Sequence, residues 1–165
     1  MRLRAGVVGV GYLGRFHALK YAAHPDVDLV AVVDVDADRC RAVATEVGSE
    51  ALFDHRKLIG RVDCVSVAVN TQHHHDVARD LLLAGIDVLV EKPLTTTVAD
   101  GQELLELAVR GQRVLQVGHL ERFNPAIRAI EAGRTIVLDR AQTLALADEA
   151  KIAVVAVDPA LVGEG

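Results

Sequence analysis

The sequence predicts an α/β domain with a doubly wound parallel sheet, and three observations point to this fold class. Short apolar runs alternate with segments of helical periodicity through most of the chain, which is the pattern of βαβ units. Hydrophobic residues make up 51% of the 165 residues but aromatic residues only 3%, so the core is mainly aliphatic, as in strands covered on both faces. A glycine cluster joins the first apolar run to the first helical segment. These features predict helices on both faces of one sheet.

The predicted elements alternate along the chain. Strands are predicted at residues 3–9, 27–33, 62–69, 87–90 and 114–118. Helices are predicted at 13–23, 37–47, 54–59, 74–83 and 98–110, with Asp36 and Asp54 as N-caps and Gly48, Gly85 and Gly111 as helix ends. Pro125 favours a further helix at 125–132. Weaker patterns indicate a strand at 135–138, a helix at 140–150 and a strand at 152–157.

Composition excludes several classes of function. The formal net charge is -5 with no cluster of Lys and Arg, so we expect no nucleic-acid partner. No apolar run is long enough to span a membrane, and the N-terminus does not resemble a signal peptide, which predicts a cytoplasmic protein without a membrane partner. Cys40 and Cys64 have no CxxC spacing and are interpreted as small buried hydrophobic residues.

The glycine cluster gives the strongest indication of a binding site. Gly9, Gly11 and Gly14 form a GxGxxG pattern between a predicted strand and a predicted helix, the context that a dinucleotide-binding loop requires. Gly9 allows the tight turn, Gly11 leaves room for a pyrophosphate, and Gly14 allows close packing of helix and strand. Tyr12 and Leu13 belong to the same loop, where helix N–H groups meet the anion. Two alternatives are a purely structural turn and a site for S-adenosylmethionine.

Asp34 indicates which dinucleotide the site prefers. It closes the second predicted strand twenty residues after Gly14, where a carboxylate accepts hydrogen bonds from the adenosine ribose. A ribose 2′-phosphate would be repelled by this carboxylate. The residues that follow immediately include no Lys or Arg to compensate; they are Val35, Asp36, Ala37 and Asp38. The pattern therefore predicts NAD as the cofactor and makes NADP the less favoured one.

Glu91, Lys92 and Pro93 follow the predicted strand at 87–90. Ligands of open parallel sheets bind at the carboxyl ends of the strands. A lysine at this edge can donate to a substrate hydroxyl or to the oxygen of a carbonyl that is being reduced. A solvated Glu–Lys pair before a proline turn is the structural alternative.

Several motifs in order resemble the Gfo/Idh/MocA family of NAD(P)-dependent oxidoreductases. They are the glycine loop with His17, Asp34, the Thr71-x-x-His74 turn, the stretch from Ala84 to Glu91-Lys92-Pro93, and the stretch 118–125. The resemblance covers about residues 1–130 and implies an N-terminal Rossmann domain at 1–124, followed here by a linker helix and an atypical tail at 125–165. It also implies a sugar, cyclitol or nucleotide-sugar substrate.

The resemblance further assigns roles to individual residues. Lys92 is similar to the family's active-site lysine, and Glu91 and Pro93 are similar to groups that shape the nicotinamide pocket. Thr71 and His74 match a turn beside the cofactor, in which Asn70 replaces the family's proline. The stretch 118–125 resembles the subgroup that oxidises the 3-hydroxyl of UDP-N-acetylglucosamine.

Four histidines and one arginine have less specific signals. His17 lies near the phosphate loop and is interpreted as structural. His119 and Arg122 follow the strand at 114–118, so they either contact substrate or pack at a domain boundary. His73 and His75 flank His74 in a run that lacks the i, i+4 spacing of helical metal ligands, and we expect no metal site.

The end of the chain departs from the family pattern. Family members are about twice as long, and their second domain supplies a histidine general acid/base, whereas no histidine follows His119 here. The segment 134–165 is too short for the family's substrate domain. We therefore expect a cofactor domain whose substrate domain is missing, by truncation or by reliance on a partner. If the tail leaves the sheet face uncovered, exposed apolar surface should favour a homo-oligomer.

Two function hypotheses remain at the level of sequence. The first is the cofactor domain of an NAD-dependent oxidoreductase acting on a CH–OH group, with Lys92 facing the reacting carbon. The second is a non-catalytic NAD(H)-binding module or truncated remnant, which the missing acid/base histidine favours. A methyltransferase is a third hypothesis, and Glu91-Lys92-Pro93 argues against it.

Overall fold

The computed structural model describes residues 2–119. The strands within this range are β1 Leu3–Val8, β2 Val27–Val33, β3 Glu50–Leu52, β4 Cys64–Val67, β5 Asp87–Val90 and β6 Leu115–Val117. The α-helices are α1 Tyr12–Ala23, α2 Ala37–Val47, α3 His74–Leu83 and α4 Val98–Gly111. Two short 3-10 helices occupy His55–Leu58 and Thr71–His73. Residues 2–118 belong to one compact unit that ends at Gly118.

The six described strands form one parallel sheet in the order β3-β2-β1-β4-β5-β6. The chain moves outward from β1 to β3 and then returns to the other side of β1 to continue through β4, β5 and β6. The direction of winding therefore reverses between β1 and β4, which is the usual ligand-binding position in such sheets. The doubly wound parallel fold predicted from the sequence is confirmed.

The core lies on both faces of the sheet. Neighbouring residues of β1 contribute to opposite faces, since side chains alternate along a strand: Val7 packs in a cluster with Ala18 and Val43 from α1 and α2, and Val8 packs in a cluster with Leu81 and Leu104 from α3 and α4. Every residue of these clusters is less than a tenth exposed. Aliphatic side chains thus cover the sheet on both sides, as the composition indicated.

Most predicted boundaries agree with the structure. The strands at 27–33 and 87–90 and the helices at 37–47 and 74–83 are found with the predicted bounds. Asp36 caps α2 by accepting a hydrogen bond from the Arg39 N–H at 3.0 Å, and Gly48 ends that helix in the left-handed region. Asp54 likewise accepts from the Arg56 N–H at 3.0 Å, but the element that follows is a 3-10 helix.

Five points of the predicted fold need correction. Strand β3 was not predicted, because three residues are too few to show a period. The strand predicted at 62–69 contracts to Cys64–Val67 and the one at 114–118 to Leu115–Val117. Helix α4 includes Gly111, and Gln112 adopts the left-handed conformation instead, with φ 52°. Cys40 is buried as predicted, whereas Cys64 is only partly buried; burial and the charges of Asp63 and Asp87 raise its pKa to about 11.

Other predictions fall on residues that are not described. They are the boundary at residue 124, the helices at 125–132 and 140–150, the strands at 135–138 and 152–157, and Arg122. Within residues 2–119, no helix combines the length and the apolar character needed to cross a bilayer.

Candidate cofactor site

A cleft of about 740 Å³ lies where β1, β2 and β4 end. Hydrogen bonds between the strands align these ends: Gly9 N–H donates to the Val33 carbonyl and Ala68 N–H to the Val8 carbonyl, each at 2.8 Å. Residues from all three exits line the cleft, including Gly9, Gly11, Asp34, Val69 and Asn70. The cleft thus occupies the position at which the winding of the sheet reverses.

The three glycines of the loop differ in whether the fold would tolerate a side chain in their place. Gly9 has φ +83°, and a Cβ there would lie 2.7 Å from the Val69 nitrogen. A Cβ on Gly14 would overlap the Gly9 carbonyl oxygen, so a side chain at this position would push α1 away from the turn. A Cβ on Gly11 would meet no protein atom within 4 Å. Gly9 and Gly14 are therefore needed by the fold itself, and Gly11 borders open space in the cleft.

The amino end of α1 suits an anion. Gly11 is the N-cap and supplies no side-chain cap, and the first turn contains no acidic residue. Its N–H groups and the positive end of the helix dipole are thus available to a phosphate. The side chains of Tyr12 and Leu13 are exposed. The Tyr12 ring packs edge-on against the Phe16 ring, with 5.1 Å between the ring centroids. They do not line the cleft, so their contribution to the loop comes from the backbone.

The carboxylate of Asp34 is buried and fully hydrogen-bonded. One oxygen, Oδ2, accepts from the Val10 N–H at 2.9 Å and from Arg39 Nε at 3.1 Å. The other, Oδ1, accepts from the Asp36 N–H at 2.9 Å and from an Arg39 terminal nitrogen at 2.6 Å. Burial acts to raise the pKa of this carboxyl, but the hydrogen bonds from Arg39, Asp36 and Val10 outweigh burial and hold the pKa below its ordinary value.

Arg39 corrects one step of the sequence argument. The residues immediately after Asp34 include no base, but Arg39, five residues on, forms a two-pronged ion pair with its carboxylate. Because Asp36 caps α2, Arg39 lies in the first turn, and side chains there point back toward the helix start. A guanidinium group therefore does lie beside the carboxylate at the exit of β2.

The exit of β4 forms another wall of the cleft. Asn70 precedes the 3-10 helix Thr71–His73 with φ -63°, which is the value that a proline ring would fix. Replacement of the family's proline by Asn70 thus leaves the backbone of this turn in the conformation a proline would adopt. Asn70 lines the cleft, whereas Thr71 does not.

His74, predicted from the resemblance to lie beside the cofactor, is enclosed by backbone in the folded domain. It is 1% exposed, and both ring nitrogens lie 2.9 Å from backbone carbonyl oxygens, Nδ1 from that of Pro93 and Nε2 from that of Val69. The ring cannot reach the cleft because it is enclosed between these two segments. It instead ties the exit of β4 to the loop that carries Lys92.

Glu91, Lys92 and Pro93 follow β5, which pairs with β4. The Glu91 N–H donates to the Val67 carbonyl at 2.9 Å, so this segment lies at the same edge of the sheet as the cleft. Lys92 and Pro93 are exposed and do not line the cleft. Glu91 is buried, so its carboxylate faces the protein and not the solvent.

Glu91 belongs to a partly buried network of polar side chains. Its Oε1 lies 2.9 Å from His17 Nε2, His17 Nδ1 lies 3.2 Å from the Ser66 hydroxyl, and Ser66 is 2.7 Å from the Tyr21 hydroxyl. His17 thus makes its side-chain contacts within the folded domain. The chain links α1, β4 and the loop after β5.

The structure brings four of the predicted cofactor residues to the cleft: Gly9, Gly11, Asp34 and Asn70. It adds Arg39, Phe53, His55, Arg56 and His73, which the sequence analysis did not predict as cofactor-binding. Phe53 follows β3, the strand that was also missed. His119 is exposed. Among residues 2–119, no group of three or more His, Cys, Asp or Glu side chains could hold a metal ion.

These residues fit a dinucleotide. The space above Gly11 and the uncapped helix end suit a pyrophosphate, and Asp34 lies where the second strand presents a carboxylate to a ribose. Fold and site together define a nucleotide-binding Rossmann domain. The family model described as "Oxidoreductase family, NAD-binding Rossmann fold" matches residues 3–119. The chain belongs to the Gfo/Idh/MocA family of oxidoreductases, and its Rossmann domain is of the NAD-binding type.

Individual relatives agree with this assignment. The chain is 40% identical over 128 residues to UDP-N-acetylglucosamine 3-dehydrogenase of Acidithiobacillus ferrooxidans, covering 78% of this chain and 40% of that protein. It is also 40% identical over 143 residues to inositol 2-dehydrogenase 1 of Saccharopolyspora erythraea, covering 81% and 42%. The chain thus spans about 40% of the length of the curated relatives it matches.

Solved structures show the same similarity. The Acidithiobacillus ferrooxidans UDP-N-acetylglucosamine 3-dehydrogenase superimposes with a TM-score of 0.76 at 38% identity, covering 81% of this chain and 44% of that one. GenD2 from gentamicin A biosynthesis, solved in complex with NAD, superimposes with a TM-score of 0.77 at 33% identity, covering 81% of this chain and 40% of that one.

Proposed function

We propose that this domain holds NAD for the oxidation of a CH–OH group on a sugar, cyclitol or nucleotide sugar. The observation that carries the proposal is the cleft itself, with Gly11 and the uncapped end of α1 on one side and Asp34 at the exit of β2. Relatives that act on UDP-N-acetylglucosamine and inositol support this substrate class.

Different residues of this chain would bind the cofactor and contact the substrate. The N–H groups at the start of α1 bind the pyrophosphate, and Asp34 accepts hydrogen bonds from the adenosine ribose. Bound NAD supplies the hydride acceptor. Oxidation would pass the hydride of the CH–OH carbon to NAD and the hydroxyl proton to solvent water, while Lys92, exposed at the same edge after β5, would donate a hydrogen bond to the substrate oxygen. Two contacts position the backbone around Lys92. The His74 ring contacts the Pro93 carbonyl, and the Glu91 carboxylate accepts a hydrogen bond from the Lys92 N–H.

Calorimetric titration of the purified chain with NAD tests the cofactor assignment. We expect a dissociation constant between about 1 μM and a few mM, together with a rise in melting temperature that grows with NAD concentration. Lys92→Ala should leave the NAD affinity nearly unchanged, since Lys92 does not line the cleft. Absence of NAD binding would overturn the proposal, and equal loss of NAD binding in Lys92→Ala would overturn the role of Lys92.

Turnover separates the two function hypotheses. The chain and its Lys92→Ala variant are assayed for NAD reduction with UDP-N-acetylglucosamine, inositol and free sugars. Reduction by the unchanged chain that is lost in the variant supports a dehydrogenase. Binding of NAD without reduction of any of it by these compounds supports the second hypothesis, a non-catalytic NAD(H)-binding module or truncated remnant.

A further inference from the structure

Lys92 lies between two peptide groups that buried side chains hold. After it, the Pro93 carbonyl oxygen lies 2.9 Å from His74 Nδ1. Before it, the Lys92 N–H donates to Glu91 Oε2 at 3.3 Å. The ammonium group of a lysine is carried on a flexible four-carbon stem, so the backbone is the part of Lys92 that the fold can fix. The Glu91 carboxylate therefore helps to decide where the Lys92 side chain leaves the loop.

The Glu91 carboxylate in turn depends on His17. The Glu91 side chain is 6% exposed, and its Oε1 lies 2.9 Å from His17 Nε2. Among the side chains of residues 2–119, His17 is the one that hydrogen-bonds this carboxylate. Gly118 closes another side, since a Cβ there would lie 2.9 Å from the carboxylate. A buried charge that lost its imidazole partner would turn toward water, and the bond to the Lys92 N–H would be lost with it.

The polar network gives the hydrogen of His17 a single position. A carboxylate only accepts hydrogen bonds, so Nε2, the His17 nitrogen that faces Glu91, carries the hydrogen. In a neutral ring, Nδ1 then accepts from the Ser66 hydroxyl at 3.2 Å, and the Ser66 oxygen accepts from the Tyr21 hydroxyl at 2.7 Å. Burial raises the pKa of Tyr21, which keeps the phenol protonated as this donor. Each hydrogen bond in the network thus points from Tyr21 toward Glu91.

This network is separate from the cleft. Among the described residues, those that line the cleft do not include Tyr21, Ser66, His17 or Glu91. A change in the network should therefore alter Lys92 without altering the affinity for the dinucleotide. Groups that contact a reacting substrate have to be held to within about 0.5 Å of the productive position, and a loosened Lys92 backbone would not meet that tolerance.

We propose that His17 is a positioning residue for Lys92: it holds the Glu91 carboxylate against the Lys92 N–H, while Ser66 and Tyr21 fix the hydrogen of His17 on Nε2. His17 acts through Glu91 and is assigned no contact with cofactor or substrate. The inference rests on the proposed function, because the position of Lys92 matters to the reaction only if Lys92 contacts the substrate.

Nuclear magnetic resonance of the isotope-labelled chain measures the effect at Lys92 itself. His17→Met and His17→Gln form a matched pair, because both new side chains are unbranched and similar in length, but only Gln can donate to Glu91 and accept from Ser66. In His17→Met, the Lys92 N–H should exchange with solvent about fivefold faster, as expected for the loss of one hydrogen bond. The order parameter of this N–H should fall from about 0.85 to below about 0.6. His17→Gln should stay close to the unchanged chain in both measurements.

Two further variants separate positioning from a loss of stability. Leu52→Ala removes core packing in β3, at the opposite edge of the sheet. It should lower the melting temperature but leave both Lys92 measurements unchanged. Tyr21→Phe removes only the last hydroxyl of the network, so it provides a folded protein even if His17→Met does not fold. It should speed exchange at Lys92 about twofold, in the same direction as His17→Met.

The outcomes distinguish this inference from the proposed function. The inference fails if His17→Met and Tyr21→Phe leave Lys92 unchanged, or if His17→Gln behaves like His17→Met. Calorimetry with NAD should give dissociation constants within about twofold for the unchanged chain and both His17 variants; an affinity about tenfold weaker in His17→Met than in His17→Gln would mean that His17 supports the cofactor site instead. Either failure leaves the proposed function standing as long as the unchanged chain binds NAD. If the unchanged chain does not bind NAD, the proposed function is overturned, and the purpose assigned to His17 is overturned with it.

Discussion

Asp34 supports the fold as well as the candidate site. Its carboxylate joins the glycine loop to the start of α2, because it accepts from the Val10 and Asp36 N–H groups. The spacing from Gly14 was enough to predict Asp34 from the sequence. Arg39 was missed because it lies five residues after Asp34 and not directly after it. The N-cap at Asp36 is the signal that places Arg39 over the carboxylate.

Asp34→Asn should lower stability at neutral pH. The pKa of Asp34 is lower in the folded protein than in the unfolded chain. At pH values between these two pKa values the unfolded chain binds more protons than the folded protein, so the free energy of unfolding increases with pH there. The contribution is fully present above the ordinary carboxyl pKa of 3.8 and is lost as pH falls through the folded-state value. We expect a cost of about 2 kcal/mol at pH 7 from the lost charge-assisted hydrogen bonds.

Urea unfolding at a series of pH values measures this effect. The difference between the unchanged chain and Asp34→Asn should shrink steadily as the pH is lowered below 3.8. Asp38→Asn is the control, because this α2 carboxylate is fully exposed and lies 3.4 Å from Arg41. A difference that does not vary with pH would show that the ionised carboxylate is not responsible.

At the scale of elements, the glycines in the turn from β1 into α1 have two different functions. Gly9 and Gly14 are required for folding, whereas Gly11 is expected to be required for ligand binding. Gly14→Ala should destabilise the domain by about 3 kcal/mol or more, because the new Cβ would overlap the Gly9 carbonyl oxygen. Gly11→Ala should cost less than about 1 kcal/mol, since the Cβ points into open space. That same methyl group should nevertheless weaken NAD binding.

Melting curves and NAD titrations of the two variants test this separation. Gly11→Ala is expected to melt close to the unchanged chain while its dissociation constant for NAD increases about tenfold or more, since the methyl group excludes a close backbone contact. Normal NAD affinity in Gly11→Ala would mean that the pyrophosphate binds elsewhere. A Gly14→Ala protein of normal stability would contradict the geometry of the turn.

Most helices and strands were predictable. The exceptions are features that the local sequence does not specify. Strands with continuous apolar residues and helices with clear caps were found, including α2 between Asp36 and Gly48. The missed strand β3 has only three residues at the edge of the sheet and depends on its pairing with β2. Gln112 replaces the expected glycine at the end of α4, which local propensity does not predict because left-handed backbone usually favours glycine or asparagine.

At the scale of the described domain, a network of polar side chains links α1, β4 and the loop after β5, which are far apart in sequence. Its members are Tyr21, Ser66, His17 and Glu91. His17→Ala should destabilise the domain by about 2 kcal/mol, because it leaves the buried Glu91 carboxylate without its side-chain partner. Glu91→Gln in the same protein should recover part of this loss, since a neutral amide tolerates burial better than an unpaired charge.

A double-mutant cycle by urea unfolding measures the coupling. The coupling energy between His17→Ala and Glu91→Gln should be about 1 kcal/mol. Lys20→Ala, at an exposed position of the same helix, should cost no more than about 0.5 kcal/mol. Additive effects of the two substitutions would show that the 2.9 Å contact between His17 and Glu91 contributes nothing to stability.

This network lay beyond sequence reasoning for a physical reason. His17 and Glu91 are 74 positions apart, and they meet only because α1 packs over β4 while β5 pairs with β4. Neither residue has a local pattern that indicates its partner. His74 is a similar case, because its sequence motif indicated a cofactor contact while its burial between two backbone carbonyls became apparent only from the folded chain.

The position of Gly118 has a practical consequence for protein engineering. Its N–H donates to the Val90 carbonyl at 2.7 Å, and a Cβ there would lie 2.9 Å from the Glu91 carboxylate. The polypeptide therefore leaves the sheet immediately beside the Lys92 loop. A chimera joined after residue 118 would keep the whole cleft intact and bring a transplanted domain in next to Lys92, so this junction, with its glycine retained, is the one to use in recombining new substrate specificities with this scaffold.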